Sequence, residues 1–241
     1  MENLQVTEQL ESVVPDIDTG LARKPCYDFF KRAFDIAASL AASILLLIPM
    51  LVISLLIVLK DGGSPFYLQK RVGRNGAAIK VCKFRSMKRG ADDLEKMLTP
   101  EQIAEYKREY KLNDDPRLIG YKKTGDGCKC FGAKIRRMSM DELPQIFWNI
   151  LIKGDMSVVG PRPVLQSELE ENYTPEERKL LLSVKPGLTG YWQAYARNCI
   201  GYTNGERQKM ELFYVHNRSF LLDIKIIFKT FGAVLIGRGA K

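Results

Sequence analysis

The chain has 241 residues, a formal charge of +9, a pI near 9.3 and 46% hydrophobic side chains. That is enough for one large domain or two small ones, and the charge favours a polyanionic partner: nucleic acid, an anionic membrane surface or phosphorylated substrates. A single histidine, His216, excludes most Ser-His and Cys-His mechanisms and His-rich metal sites. Cys26, Cys82, Cys128, Cys130 and Cys199 form no CxxC pair, which argues against a zinc site or a disulfide framework and reads as thiols of a reducing compartment.

Residues 1–26 read as an N-terminal arm, acidic through Gly20 with Glu2, Glu8, Glu11, Asp16 and Asp18 and lacking an apolar run of signal-peptide length. Arg23, Lys24, Lys31 and Arg32 then lead into the apolar stretch Ile36 to Leu59, long enough to span a bilayer. Pro49 falls near its middle, where a missing N–H and a steric clash kink or break a helix, and Ser39, Ser43 and Ser54 supply polar groups for the freed backbone. Basic residues flank both ends, so charge gives no orientation. Two readings stand at this point: a re-entrant hairpin with both ends on the cytoplasmic side, and a kinked transmembrane helix. A buried soluble helix is disfavoured, because such helices are rarely this long and this uniformly apolar.

Asn75-Gly76 is a hairpin turn signal between two short basic strands, which would face headgroups or phosphates, or simply solvent. Residues Asp92 to Lys111 predict a surface helix or pair, and Asp115-Pro116-Arg117 with Gly120 to Gly132 predict turns and loop. After a short β-like run, prolines on both sides of Arg162 restrict its backbone, which suits a guanidinium presented to a phosphate; the competing reading is a stiff loop with an incidental arginine. Glu168 to Leu182 predicts a helix, and Lys185 to Gln193 a glycine-punctuated loop, either of the kind that cups a base or sugar or a packed turn. Ser219 to Ile236 predicts an amphipathic helix, interfacial or in the core.

The stretch around Asp141-Glu142 organises the rest. With Asp141 as N-cap, Pro144 falls in the first turn of a helix through Leu151, and the carboxylates sit at the helix's positive end, where phosphate is also attracted. The competing reading is a capping box, Ser139-x-x-Glu142, with no chemistry.

In order after one apolar segment stand Lys83-Phe84-Arg85-Ser86-Met87, Asp115-Pro116-Arg117, Ser139 to Gln145, Gly154-Asp155-Met156-Ser157, Gly160-Pro161-Arg162-Pro163 and Lys185 to Gly190. Together they resemble the bacterial sugar transferase family, the monotopic polyprenyl-phosphate phosphoglycosyl transferases. The resemblance covers roughly residues 27 to 240. It implies a membrane-associated α/β fold: residues 27–60 as a re-entrant membrane helix and 61–241 as a cytoplasmic-face catalytic region with interfacial helices. It also implies transfer of sugar 1-phosphate from a UDP-sugar to undecaprenyl phosphate with Mg²⁺, releasing UMP, at the bacterial inner membrane in assembly of exopolysaccharide, capsule or O-antigen. The nucleophile role falls on Asp141, which is also the expected metal ligand, and Glu142 completes the dyad. Arg136 and Arg162 are the candidate phosphate clamps, with Lys83, Arg85 and Arg197 as further candidates. Membrane lipids are expected partners, nucleic acid is not, and a homo-oligomer is compatible with the sequence. The segment Ala91 to Lys111 resembles members using galactose or glucose, with an N-acetylhexosamine as the alternative. Three positions depart from the family pattern: Ile48 where serine is frequent, Ala196 where glycine is usual, and a stretch from Gln145 to Lys153 about two residues longer. A non-catalytic membrane-associated scaffold is the alternative of another class.

Overall fold

The computed structural model describes residues 24–109, 112, 114–122, 130–196 and 205–235, and the statements below concern these. The first 23 residues and Arg197 lie outside them.

The apolar stretch forms two helices, α1 (Pro25–Leu45) and α2 (Leu47–Asp61), bent by 61° at Leu46. The break falls just before Pro49, the third residue of α2. There its missing N–H is one that a helix start leaves unpaired anyway, and its ring keeps the Leu45 carbonyl from extending α1. No single helix among the described residues is long and apolar enough to cross a membrane; the bent pair meets that test together.

One stripe of α1 is polar at i, i+4, i+8 spacing and is sewn into the rest of the molecule. Tyr27 Oη and Lys31 Nζ donate to Asp223 Oδ2 at 2.8 and 2.7 Å, while Asp35 Oδ1 accepts from Ser157 Oγ at 3.0 Å and from the Val158 N–H at 2.9 Å. Arg32 adds a bond to the Ile150 carbonyl at 3.0 Å. Ile53 and Ile57 on α2 are buried, while Ile44, Leu45, Ile48, Leu55 and Leu59 form an exposed apolar surface on the pair.

A hairpin follows, β1 (Phe66–Val72) and β2 (Ala78–Phe84), antiparallel with Phe66 opposite Phe84 and Val72 opposite Ala78. Asn75 and Gly76 both have positive φ (58° and 78°), the turn their sequence predicts. The Asp92 to Lys111 region is a pair of helices, α3 (Leu94–Met97) and α4 (Pro100–Glu109). Helix α5 (Phe131–Arg137) then leads to a 3₁₀ turn, Met140–Glu142, and a π-helix, Ile146–Lys153.

The second half is built on a parallel pair, β3 (Ser157–Val159) with β4 (Gly187–Thr189), joined through α6 (Gln166–Asn172) and α7 (Pro175–Leu181). A single helix over Glu168 to Leu182 is therefore not what forms. Thr174 caps α7, accepting from the Glu177 N–H at 3.3 Å while Glu177 accepts from the Thr174 N–H at 2.8 Å, and Pro175 opens the new helix. The loop expected from Lys185 to Gln193 is largely β4 and the start of α8 (Tyr191–Tyr195). Close approach of the strands explains its glycines: a Cβ on Gly160 would meet the Gly187 nitrogen at 2.7 Å, and one on Gly187 the Gly160 nitrogen at 2.1 Å.

Helices α9 (Glu206–Asn217) and α10 (Phe220–Leu235) close the core, where Leu212, Tyr214, Val215 and Ile226 pack with Val159 and Val164. Helix α10 is amphipathic in an inverted sense. Ile226 and Asp223 are buried on one side, while Leu221, Phe228 and Phe231 are exposed on the other. The expectation of free thiols holds for Cys26 and Cys82 but not for Cys130, which is disulfide-bonded.

Candidate active site

The turn carrying Asp141 and Glu142 is held by the residues that flank them. Met140 and Leu143 pack against Ile53, Ile57, Phe84 and Ile119, so the second arm of the bent pair forms the floor beneath the turn. With both apolar neighbours committed to that floor, the two carboxylates remain half-buried at its edge. Asp141 does not cap a helix. Ser139, at φ 54°, precedes the 3₁₀ turn without a side-chain cap bond, and Pro144 falls at the junction with the π-helix, where the preceding turn already uses i−3 bonds. The capping-box alternative also fails, because the Glu142 side chain turns instead to Lys83, whose Nζ donates to Glu142 Oε1 at 3.0 Å.

That ion pair is registered by a buried asparagine. Asn149, on the π-helix, accepts from the Cys82 N–H at 2.9 Å and donates to the Lys80 carbonyl at 2.9 Å and to Asp155 Oδ1 at 3.1 Å. Fully buried and bonded on both faces of its amide, it fixes β2 against the helix after the dyad. Burial pushes the Asp155 carboxyl up, with Asn149 opposing that shift.

Lys83 and Glu142 open on a solvent-open surface cleft. Its other polar walls are Arg71, Gln145, Arg162 and Gln193, with Gly187 and Leu188 at its base. Arg162 is set there by backbone. The Val72 N–H donates to the Val164 carbonyl at 3.0 Å and the Gly187 N–H to the Pro161 carbonyl at 2.8 Å, so its segment is clamped between β1 and β4. Strand alternation places Arg71 on the same face of the hairpin as Lys83, since Arg71 pairs with Ile79 and Lys83 with Tyr67. The result is a cationic cleft with one carboxylate, Glu142, among its lining residues.

The structure thus brings Lys83, Glu142 and Arg162 together, with Asp141 on the same turn as Glu142. Arg136 lies exposed in the last turn of α5 and does not line the cleft. Arg85 is committed elsewhere: its guanidinium donates to the Asp61 carboxylate and the Gly62 carbonyl, and to the Ser64 carbonyl at 2.9 Å, tying β2 to the end of α2. Arg71, Gln145 and Gln193 were not singled out from sequence. Only Arg71 carried a signal there, its period-two relation to the strand partner of Lys83.

Among the described residues no group of three or more His, Cys, Asp or Glu side chains is arranged to hold a metal ion. Asp141 and Glu142 are adjacent hard-oxygen donors, and such a pair suits Mg²⁺, which is usually held by one or two carboxylates and completed by substrate phosphates and water.

Residues 26–237 match the family described as bacterial sugar transferase. The chain belongs to that family. It is 42% identical over 215 residues to the UDP-galactose-lipid carrier transferase of Erwinia amylovora, covering 88% of this chain and 42% of the relative. It is 39% identical over 226 residues to the exopolysaccharide production protein ExoY of Rhizobium meliloti, covering 92% of both. With the undecaprenyl-phosphate galactose phosphotransferase of Salmonella typhimurium it shares 39% identity over 227 residues, covering 93% of this chain and 44% of the relative. The chain therefore spans nearly all of one relative and under half of the other two.

Proposed function

We propose that the protein is a phosphoglycosyl transferase that moves sugar 1-phosphate from a UDP-sugar to undecaprenyl phosphate, with UDP-galactose or UDP-glucose as donor. The observation that carries this reading is the cleft itself: three cations, Arg71, Lys83 and Arg162, line it with Glu142, whose chain neighbour on the same turn is Asp141. The galactose-directed names of two relatives support the donor class, and an N-acetylhexosamine donor is the alternative.

The chemistry proceeds in two displacements. An Asp141 oxygen attacks the β-phosphorus of the donor, forming an aspartyl–phosphosugar bond as the bond to the UMP oxygen breaks, and UMP leaves with that electron pair. A phosphate oxygen of undecaprenyl phosphate then attacks the same phosphorus and frees the Asp141 carboxylate, leaving the sugar on a lipid diphosphate. Such a step needs positioning and charge neutralisation more than covalent activation, and Arg162, Arg71 and Lys83 supply both to the diphosphate. Lys83 also offsets the charge of Glu142, which lowers repulsion between the dyad and the incoming anion. Asp141 and Glu142 are the residues that would hold Mg²⁺, which would add further charge neutralisation when bound.

A lipid acceptor requires a site at the bilayer. The exposed leucines and isoleucines of α1 and α2 and the exposed phenylalanines of α10 support insertion of the bent pair as a re-entrant hairpin, with α10 at the interface and the cleft facing the cytoplasm of the bacterial inner membrane.

The test uses membranes containing the protein, undecaprenyl phosphate, Mg²⁺ and a panel of UDP-sugars. UMP release with one sugar, lost in Asp141→Asn, is the expected result. Release undiminished in Asp141→Asn, or none with any sugar from folded protein, favours a different nucleophile in the first case and a non-catalytic scaffold in the second.

A further inference from the structure

Behind the arginine wall of the cleft lies a second set of charges that the reaction does not touch. Glu211 and Arg207, one turn apart on α9, are each only 1% exposed. Glu211 Oε2 accepts from the backbone N–H of Arg162 at 3.1 Å. Arg207 Nη2 lies 2.8 Å from Glu168 Oε1, and the other oxygen of Glu168 lies 3.8 Å from Arg71 Nη1. The indole of Trp192 faces both guanidinium groups, with Arg207 Cζ 4.6 Å and Arg162 Cζ 5.8 Å from its ring centroid.

Buried charges of this kind are costly, and an apolar core of equal volume would be as stable or more so. Their placement gives them a use. Arg71 and Arg162 face the same cleft as like charges, and left to themselves would separate or turn to solvent. Glu211 instead anchors the Arg162 backbone from behind, Glu168 lies within ion-pair distance of the Arg71 guanidinium, and Arg207 joins Glu168 to the Trp192 ring that also faces Arg162.

We propose that Glu211 and Glu168, with Arg207 on the helix behind them, are positioning residues that pre-set Arg162 and Arg71 for the diphosphate of the nucleotide donor. This rests on the reading of the cleft as a UDP-sugar site. The carboxylates touch no substrate and act through the arginines, so their loss falls on donor binding and not on the displacement at Asp141.

The test measures equilibrium binding of UDP to the full chain in lipid nanodiscs, together with kcat and KM for UDP-galactose with undecaprenyl phosphate. Glu211→Ala removes the acceptor of the Arg162 N–H and is expected to weaken UDP binding and raise the donor KM by about tenfold, the usual scale of one charge-assisted hydrogen bond, with kcat within about threefold of wild type. Glu211→Gln keeps an acceptor oxygen and is expected to rescue binding to within about threefold. Should Glu211→Ala fail to fold, Glu168→Gln serves in its place, with an expected loss of roughly three- to tenfold in UDP affinity. Wild-type affinity in folded Glu211→Ala or Glu168→Gln overturns the positioning role. Absence of UDP binding and turnover in the wild type instead overturns the donor-site reading on which that role depends.

Discussion

The two edges of the cleft use the same ion-pair chemistry in different surroundings. At the dyad edge, Lys83 and Glu142 pair with side chains 20% and 17% exposed; behind the arginine edge, Arg207 pairs with Glu168 with side chains 2% and 14% exposed, and Glu211, which anchors the Arg162 backbone, is 1% exposed. Water reaches the first pair, so its net contribution is small and its partners can be exchanged when a phosphate arrives. The second set has little access to water and holds one arrangement. On the proposed reaction, chemistry falls at the adaptable edge and donor recognition at the fixed one.

Substitutions can break that contrast, beginning with the largest effect. Arg162→Ala removes a cation whose backbone is already clamped, and is expected to raise the donor KM by about a hundredfold, on the order of 2–3 kcal/mol for a charged hydrogen-bonding group to phosphate. Steady-state kinetics with varied UDP-galactose reads this directly. Lys83→Ala at the partly exposed edge is expected to cost less, roughly tenfold in kcat/KM, since water can solvate Glu142 in its place. An equal or larger loss at Lys83 would reverse the assignment of fixed and adaptable edges.

The smallest effect is on stability and sharpens the contrast through pH. Burial pushes the Glu211 carboxyl up from 4.5 to about 7, against the pull of Arg207 and of Arg162. The groups facing it are Arg207 on its own helix, Arg162 after β3, Glu168 on α6 and Tyr173 between α6 and α7. Because the folded state holds this proton more tightly than the unfolded chain, it binds more protons between the two values. Stability from Glu211 is therefore highest below pH 4.5 and falls as pH rises through about 7. Glu211→Gln is expected to flatten that part of the melting-temperature profile and to leave the variant relatively more stable at alkaline pH. Parallel profiles for wild type and Glu211→Gln would show that the carboxylate is solvated after all.

What was legible in the sequence depended on how local its cause is. The Asn75-Gly76 turn and the break before Pro49 follow from backbone rules that act within a few residues, and each appears in the fold, whereas the segment of Arg162 is held by bonds from distant elements. The Thr174-Pro175 helix start was equally local but was hidden inside a run of good helix formers, so one helix was expected where two form. The role of Arg85 was not legible, because its partner Asp61 belongs to another element and only the folded chain brings them together. The same holds for the charges behind Arg162: nothing near Glu168 or Glu211 announces that they meet through Arg207. The π-helix after the dyad is likewise a consequence of packing, with Asn149 stitched to β2.

The central claim is that Asp141 carries the phosphosugar between two substrates. The most direct measurement incubates the protein with UDP-galactose labelled in the sugar, without undecaprenyl phosphate, and follows label on the protein together with free UMP. The account predicts one label per active site, matched by one UMP, discharged on adding undecaprenyl phosphate and absent in Asp141→Asn. Label retained in Asp141→Asn, or wild-type UMP release that begins only once the lipid acceptor is present, would contradict it.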